Sequence, residues 1–373
     1  MRELGGIEFG EAQADLLDVA ASFCRDKSPI DKVRALMGDD LGHDPAVWAE
    51  IGALGWLAIA IPESYGGVGL GLAEMVPVVE QMGRRLLATP FVSTSVAAQA
   101  LLACGSEAQK QAILPRICEG QAATLALTEQ GGDWTLSAIT CTARRDSDQL
   151  LLSGTKYLVC DAVAANWVLV SVLVDGEPAM VIVERNAIPV GALRREAIID
   201  ETKRSYALTL DGIKVPASAL LDQMRTRGAL TQVALAANLL IAAENCGSAQ
   251  SVIDYTIDYL NTRKQFGSFI GAYQAVKHPT VAAYVGYEKA RSHLYSAAHC
   301  FGDQGAGEIA TRMAAVQAER ALAFAADRSI QFHGGFGFTY DCDAQLYRRR
   351  AIFNAALFGD TGYQKRKLAD LLL

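Results

Sequence analysis

Residues 263–278, RKQFGSFIGAYQAVKH, decide how the rest of the chain is interpreted, because they join two long helical segments. The segment before them, residues 228–262, is apolar and contains no proline. Within it, Glu244 is the only charged residue between Arg227 and Asp254. A buried charge without a partner is costly, so such a group usually shifts its pKa or is paired. Glu244 is therefore the residue around which a function is sought.

Length and charge restrict the class of protein. At 373 residues the chain is long for a single core, so two or three domains with room to bury a large cofactor are expected. The formal net charge of −7 argues against nucleic acid as a partner, because that affinity depends on Lys and Arg neutralising phosphates. We expect the partner to be a small molecule or another protein.

The cysteines and apolar runs indicate the compartment. Eight cysteines are scattered without a C-x-x-C pair, which predicts neither a metal site nor a disulfide framework and indicates reduced thiols. The first residues, MRELGGIEFGEAQ, carry charges where the apolar part of a signal peptide would lie. The most apolar run, residues 233–246, is interrupted by polar residues and is shorter than the roughly 20 residues of a membrane span. We therefore expect a soluble, cytoplasmic protein.

The hydrophobic periodicity changes twice along the chain. Up to residue 119, apolar residues recur at three- and four-residue steps, which predicts amphipathic helices. Short runs rich in β-branched residues follow, which predicts a small β domain, and then four helical stretches typical of a four-helix bundle. The predicted fold class is α+β. Its predicted domains are an N-terminal helical domain (1–119), a middle β domain (120–218) and a C-terminal four-helix bundle (219–373).

Five short motifs follow one another along the chain. They are Ala126-Leu127-Thr128-Glu129, Leu152-Ser153-Gly154-Thr155-Lys156, Arg263-Lys264-Gln265-Phe266-Gly267 with Gln274, residues 331–338 (QFHGGFGF), and Thr361. In this order and at these separations the sequence resembles the acyl-CoA dehydrogenase family over nearly its full length. The resemblance implies a helical N-terminal domain, a β-barrel and a four-helix bundle, assembled as a homo- or hetero-tetramer.

The same resemblance implies a reaction and a cofactor. The reaction is the removal of a proton from Cα and a hydride from Cβ of an acyl-CoA thioester. A carboxylate takes the proton, flavin N5 of FAD takes the hydride, and the electrons leave through an electron-transferring flavoprotein. The residues that the resemblance assigns to FAD, partly across a subunit interface, are Thr128, Arg263, Gln265, Phe266, Gln274, Gln331, His333, Gly334, Gly335 and Thr361.

The residue types suit an anionic cofactor. Gly334 and Gly335 lack side chains, so their backbone N–H groups can approach it closely, and Arg263 can pair with a phosphate in a bidentate manner. Each has a structural alternative. The glycines are also typical of a turn that ends a helix, Arg263 of a surface ion pair, and His333 of a packed histidine.

The sequence departs from the family in the residues expected at the flavin ring. The first motif continues as Glu129-Gln130-Gly131-Gly132-Asp133-Trp134-Thr135, so Trp134 stands where the family commonly has a serine. Leu158-Val159-Cys160 replaces the family's Trp-Ile-Thr. Contacts to the isoalloxazine ring from this subunit are therefore in question.

The catalytic base is the third departure. Many family members place a glutamate where this chain has Gly359, with the shorter Asp360 next to it, and others place it near Ala237. Glu244 lies seven residues beyond Ala237, two helical turns or about 10 Å further along the same face. Three alternatives follow: Glu244 is the base, Asp360 is the base, or the chain has no base. A structural alternative is that Glu244 pairs with an Arg or Lys from a neighbouring helix, such as one of the run Arg348-Arg349-Arg350.

Two hypotheses remain. The first is an FAD-dependent acyl-CoA dehydrogenase with Glu244 as its base, resembling the bacterial branch that acts on bulky, steroid side-chain CoA esters. The second is a non-catalytic partner subunit that lends Arg263, Gln274 and residues 331–335 to FAD bound mainly by a homologous subunit. A helical scaffold without flavin is disfavoured because the nucleotide-facing motifs persist.

Overall fold

The structure is a computed structural model that describes residues 11–135 and 138–373, without the side chains of residues 11 and 12. The described residues fall into two compact units. The bundle unit contains residues 11–35, 72–87 and 238–373, and the sheet unit contains residues 36–71 and 88–237. The division into three domains at residues 119 and 218 stays a prediction.

The described residues form eleven α-helices. In chain order they are α1 (Glu11–Lys27), α2 (Ile30–Leu36), α3 (Pro45–Ala53), α4 (Leu72–Arg84), α5 (Phe91–Cys104), α6 (Glu107–Cys118), α7 (Gln223–Thr262), α8 (Gln274–His299), α9 (Ala306–Phe332), α10 (Ala344–Ala355) and α11 (Thr361–Leu372).

The strands of the sheet unit form two sheets around one core. They are β1 (Ala123–Ala126), β2 (Thr142–Asp146), β3 (Gln149–Ser153), β4 (Thr155–Cys160), β5 (Trp167–Val174), β6 (Glu177–Glu184), β7 (Leu193–Arg195), β8 (Ser205–Thr209) and β9 (Lys214–Pro216). One sheet has the order β1-β5-β2-β3-β9, with β6 also pairing with β5, and the other has the order β4-β8-β7. Apolar side chains from both sheets, such as Leu152, Val159 and Val170, are buried in the same cluster.

Local sequence explains the central hairpin of the larger sheet. Strand β5 reads WVLVSVLV, a β-branched run that is almost wholly buried. Asp175 and Gly176 both have positive φ (53° and 82°), the conformation that a two-residue hairpin turn requires. Strand β6 therefore returns antiparallel, with Val174 opposite Glu177.

Helix α7, at 40 residues, contains Glu244 and leads directly into the 263–278 stretch. It is long and apolar enough to cross a membrane, with a mean hydropathy of 1.2 in its most apolar window, but 78% of that window is buried inside the protein. Burial of this kind is typical of the core helix of a bundle. Helix α7 packs closely against α4 at Gly247, where a Cβ would lie 1.8 Å from the carbonyl oxygen of Glu80.

Two elements differ from the sequence-based expectation. The polar segment 361–372 forms a further helix, α11, which begins because the side chain of Asp360 accepts a hydrogen bond from the backbone N–H of Tyr363. The run at residues 138–144, AITCTAR, is one of those whose pattern predicts a strand, but the strand starts only at Thr142. Before it, the backbone N–H of Ala138 donates to the carboxylate of Asp133, and those of Thr140 and Cys141 donate to the carboxylate of Glu129.

Candidate active site

The 263–278 stretch forms a tight hairpin after the last turn of α7. Strands β10 (Lys264–Gln265) and β11 (Ser268–Phe269) pair antiparallel, and Phe266 and Gly267 turn the chain with φ of 52° and 84°. The hydroxyl of Tyr273 donates to the carbonyl oxygens of Gln265 and Phe266, at 3.1 and 3.2 Å. The hairpin is therefore held in shape by its own residues.

The side chains of this hairpin point into solvent. Arg263, Gln265 and Gln274 are exposed, and the Phe266 side chain is 94% exposed at the tip. A rigid turn that presents an aromatic ring to water is a feature of contact surfaces. This position agrees with a hairpin that reaches a neighbouring molecule, although the four residues' contacts to FAD stay predictions.

The loop after α9 packs against the end of α7. The His333 ring stacks on Tyr255 and Tyr259 at centroid distances of 4.8 and 4.1 Å, and its Nδ1 lies 2.8 Å from the carbonyl oxygen of Ser329. Arg263 lies one turn beyond Tyr259, to whose carbonyl its backbone N–H donates. The structure thus brings the 333–335 loop to the end of α7 that carries Arg263.

The glycines of this loop are open to approach. Gly334 has a φ of 62°, and a Cβ on either Gly334 or Gly335 would meet no other atom within 4 Å. Gln331, just before them, is exposed. His333 itself is buried as the packed-histidine alternative predicted, and the contacts of its neighbours to FAD stay predictions.

We expect His333 to make stability depend on pH. Burial lowers its pKa, against the opposing effects of the Ser329 carbonyl and Asp343, so the folded protein takes up the proton less readily than the unfolded chain. Below its unfolded pKa of about 6.5, the unfolded chain gains the proton first, so stability falls as pH decreases from 7 to 5. Urea unfolding at pH 7 and pH 5 should show that the free energy of unfolding falls less for His333→Gln than for the unchanged protein. An equal loss in both proteins would contradict the assignment.

Glu244 is held in a buried ion pair. Its Oε1 accepts from Nη1 of Arg350 at 2.8 Å, and its Oε2 accepts from Nδ2 of Asn354 at 3.0 Å. The same Asn354 nitrogen lies 2.8 Å from Oδ1 of Asn245. The Arg350 side chain has no exposed surface. This is the arrangement in which Glu244 pairs with the arginine run, and its role as base stays a prediction.

The position of Glu244 separates it from the hairpin. Nineteen residues along the chain separate Glu244 from Arg263, which corresponds to about 28 Å of helix rise. The structure therefore does not bring these two predicted site residues together within one chain. A site that uses both would have to be assembled from more than one copy or subunit.

The alternative base positions are also occupied or closed. Gly359 has a φ of 107°, and a Cβ there would lie 2.3 Å from Cδ1 of Tyr363 and 2.9 Å from Nε2 of Gln364. Asp360 caps α11, with its Oδ1 2.7 Å from the backbone nitrogen of Tyr363. Thr361, the next predicted site residue, is the first residue of that helix.

A second buried carboxylate was missed by the sequence analysis. Glu80 of α4 has no exposed surface and accepts from Nε of Arg291 at 2.6 Å and from the Tyr295 hydroxyl at 2.6 Å. Burial acts to lower the pKa of Arg291, but the neighbouring Glu80 carboxylate outweighs burial and raises that pKa above its ordinary value. The available signal was a glutamate within an apolar stretch of α4, weaker than that of Glu244 because Glu74 and Arg84 lie in the same helix.

The first two motifs meet in the sheet unit. The backbone N–H of Tyr157 donates to the carbonyl oxygen of Thr128 at 2.9 Å, which links the end of the first motif to β4. Lys156, with no exposed surface, donates to Oε1 of Glu129 at 2.7 Å. A cavity of about 300 Å³ lies beside this pair, lined by Leu127, residues 129–133 and residues 138–140.

Comparisons with known proteins agree with this architecture. Family profiles described as "Acyl-CoA dehydrogenase, N-terminal domain" and "Acyl-CoA dehydrogenase, C-terminal domain" match residues 10–121 and 227–373. Acyl-CoA dehydrogenase FadE12 of Mycobacterium tuberculosis is 30% identical over 312 residues, which cover 80% of each chain.

Solved structures give the same result. A chain of the ChsE4-ChsE5 complex from Mycobacterium tuberculosis superposes with a TM-score of 0.88 at 26% identity, over 98% of both chains. A variant of the Tcur3481-Tcur3483 steroid ACAD gives 0.86 at 28% identity, over 97% of this chain and 98% of the other. The family, the fold class and the cofactor of the family predicted from the sequence are confirmed. The chain belongs to the acyl-CoA dehydrogenase family, whose members are FAD-dependent oxidoreductases.

Proposed function

We propose that this chain is one subunit of a heteromeric acyl-CoA dehydrogenase, and that a homologous subunit supplies the base. The observation that carries the proposal is the state of the base positions in the bundle unit. Glu244 is engaged by Arg350 and Asn354, and a side chain at Gly359 would overlap the Tyr363 ring unless that ring moved. Because the base must come within hydrogen-bonding reach of the proton it removes, a carboxylate fixed in an ion pair is poorly suited to the task.

The surface at the end of α7 fits the nucleotide part of FAD. The exposed guanidinium of Arg263 has no ion pair within the part of the chain that the structure describes, and a planar guanidinium suits a phosphate. The backbone at Gly334 and Gly335 is open to close approach. Arg263, Gln274 and the 331–335 loop would hold the nucleotide, and FAD when bound supplies the hydride acceptor.

The exposure of the hairpin supports a shared cofactor site. Phe266 at the tip is almost wholly exposed, while the hairpin's backbone is fixed by Tyr273. A preorganised, exposed arm loses little conformational entropy when another subunit covers it. In this scheme the chain binds and orients the cofactor, and the proton at Cα of the thioester passes to the carboxylate of the homologous subunit.

The names of the matched structures support a bulky substrate and an unlike partner. One is a steroid ACAD, and the other is a complex of ChsE4 with ChsE5. We propose a bulky acyl-CoA ester, of which a steroid side-chain ester is one example. A tetramer of unlike subunits, an electron-transferring flavoprotein as acceptor and a cytoplasmic location belong to the same proposal.

The proposal is tested by purifying the chain alone and together with a co-expressed homologous subunit. We expect the chain alone to give no acyl-CoA-dependent bleaching of a flavin spectrum, and the co-purified complex to bleach on addition of a bulky acyl-CoA. Arg263→Gln should lower the FAD content of the complex, because one phosphate partner is lost. The exposed Arg145→Gln serves as the matched control and should leave FAD content unchanged.

A different result would support the first hypothesis of the sequence analysis. If the chain alone is yellow and is bleached by acyl-CoA, the heteromer is unnecessary. Glu244→Gln in that protein should then abolish bleaching and leave FAD bound, which would identify Glu244 as the base despite its ion pair.

A further inference from the structure

Lys156 is a buried cation that organises the start of the cavity loop, defined here as residues 129–135 and 138–141. Its Nζ donates to Oε1 of Glu129 at 2.7 Å, to Oγ of Ser171 at 2.9 Å and to the carbonyl oxygen of Leu127 at 3.4 Å. An ammonium group has three hydrogens, so these three acceptors satisfy it. The ammonium group is therefore satisfied by the first residue of the loop, Glu129, and by two residues beside the loop.

Glu129 connects the beginning of the cavity loop to its end. Its Oε2 accepts from the backbone N–H of Thr140 at 2.9 Å and from the Thr140 hydroxyl, and its Oε1 accepts from the backbone N–H of Cys141 at 3.1 Å. Both limbs of the loop line the cavity of about 300 Å³. One carboxylate thus fixes the separation between the two walls.

The charge of Glu129 persists over the ordinary pH range. Burial acts to raise the pKa of Glu129, but hydrogen bonds from Lys156, Thr140 and Cys141 lower it to about 2. Burial lowers the pKa of Lys156, and Glu129 opposes that shift. The stability that Glu129 contributes is present above its unfolded pKa, near 4.3, and is lost only as pH falls towards 2.

We propose that Glu129 and Lys156 are positioning residues that together hold the cavity loop and so set the shape of the cavity. β1 ends at Ala126 and β2 begins at Thr142, so the described residues of the cavity loop belong to neither strand. The side-chain hydrogen bonds of the pair therefore do what backbone bonds between strands would otherwise do. That the cavity belongs to the acyl-CoA site, and that its shape governs acyl-CoA binding, rests on the proposed function.

The loop itself is tested first, by hydrogen exchange in the complex with the homologous subunit. In Lys156→Met, the amides of Thr140 and Cys141 should exchange at least about tenfold faster, because Glu129 is left buried without its cation. Amides of β5 should change less than about twofold. Glu129→Gln, which keeps the shape but removes the charge, should loosen the same amides. The control is Arg145→Met, which breaks the exposed ion pair between Arg145 and Asp175. Hydrogen exchange in the cavity loop should be unchanged in this variant.

Equal acceleration in the loop and in β5 would overturn the proposal, because it would show general destabilisation only. Unchanged loop exchange in both variants would overturn it as well. The enzyme readout is separate: KM of the complex for acyl-CoA should rise about tenfold, with kcat changing less than about threefold. A loosened loop with unchanged KM would refute the role in substrate binding, while persistent turnover would leave the proposed function standing.

Discussion

Arg350→Met should lower the free energy of unfolding by about 3–5 kcal/mol, the usual cost of leaving one partner of a buried ion pair without the other. Glu244 would keep the hydrogen bond from Asn354 but lose the guanidinium that balances its charge, at a helix crossing where Arg350 has no exposed surface. Urea unfolding at pH 7, followed by far-UV circular dichroism, measures the loss.

The double variant Glu244→Gln with Arg350→Met separates the charge from the packing. Removing both charges leaves an amide that can still bond to Asn354, so the double variant should be more stable than Arg350→Met alone. Arg227→Met is the matched control, because Arg227 pairs with Glu177 in solvent at 2.9 Å and exposed pairs contribute at most about 1 kcal/mol. A loss for Arg350→Met no larger than that of the control would show that the ion pair is not structural.

The partner of Glu244 shows how far sequence reasoning reaches. An isolated charge in an apolar helix was enough to predict that Glu244 is buried and either paired or functional. The sequence did not determine which of Arg348, Arg349 and Arg350 is the partner. Consecutive helical residues point about 100° apart, so the choice depends on the rotation of α10 within the bundle. In the structure Arg350 is buried, whereas Arg349 lies over the ring of Tyr340 at 4.6 Å.

Pairings between distant segments were beyond the same reasoning. Glu129 and Lys156 each belong to a recognised motif. The two residues are 27 positions apart in the chain, and their contact joins the segment after β1 to strand β4. No periodicity encodes such a contact. Glu80 was missed because Glu74 and Arg84 lie within two turns of it, so the charge did not stand out as isolated in the way that Glu244 did.

The hairpin was predicted in position but not in shape. Residues 263–278 were expected to reach a neighbouring subunit on the basis of the family motif alone. Phe266 has a positive φ, which lets its ring project from the turn. Bulky residues usually avoid positive φ, so the sequence did not indicate this conformation. The donor bonds from Tyr273 that fix the turn were likewise visible only in three dimensions.

Placing a glutamate at the family's usual base position should fail to create a base in this chain. Gly359→Glu requires a non-glycine residue at a φ of 107°, and its Cβ would overlap the Tyr363 ring at 2.3 Å. The backbone strain costs about 1–3 kcal/mol, and the overlap adds about 1–3 kcal/mol. We expect Gly359→Glu to lower the free energy of unfolding by roughly 2–6 kcal/mol, the sum of these two costs, and to give no acyl-CoA-dependent bleaching in the chain alone.

Gly212→Ala separates strain from overlap, because Gly212 has a φ of 84° and open space where its Cβ would lie. It should lose only the strain contribution, and Gly359→Ala should lose more than Gly212→Ala by the cost of displacing Tyr363. A Gly359→Glu variant that folds normally and lets the chain alone turn over acyl-CoA would contradict this prediction. That result would mean that the chain lacks a base only because glycine has replaced the glutamate, and that position 359 has space for the side chain. Retained inactivity with a large stability loss means that this chain is built around the glycine, so a base supplied by another subunit is the arrangement its backbone permits.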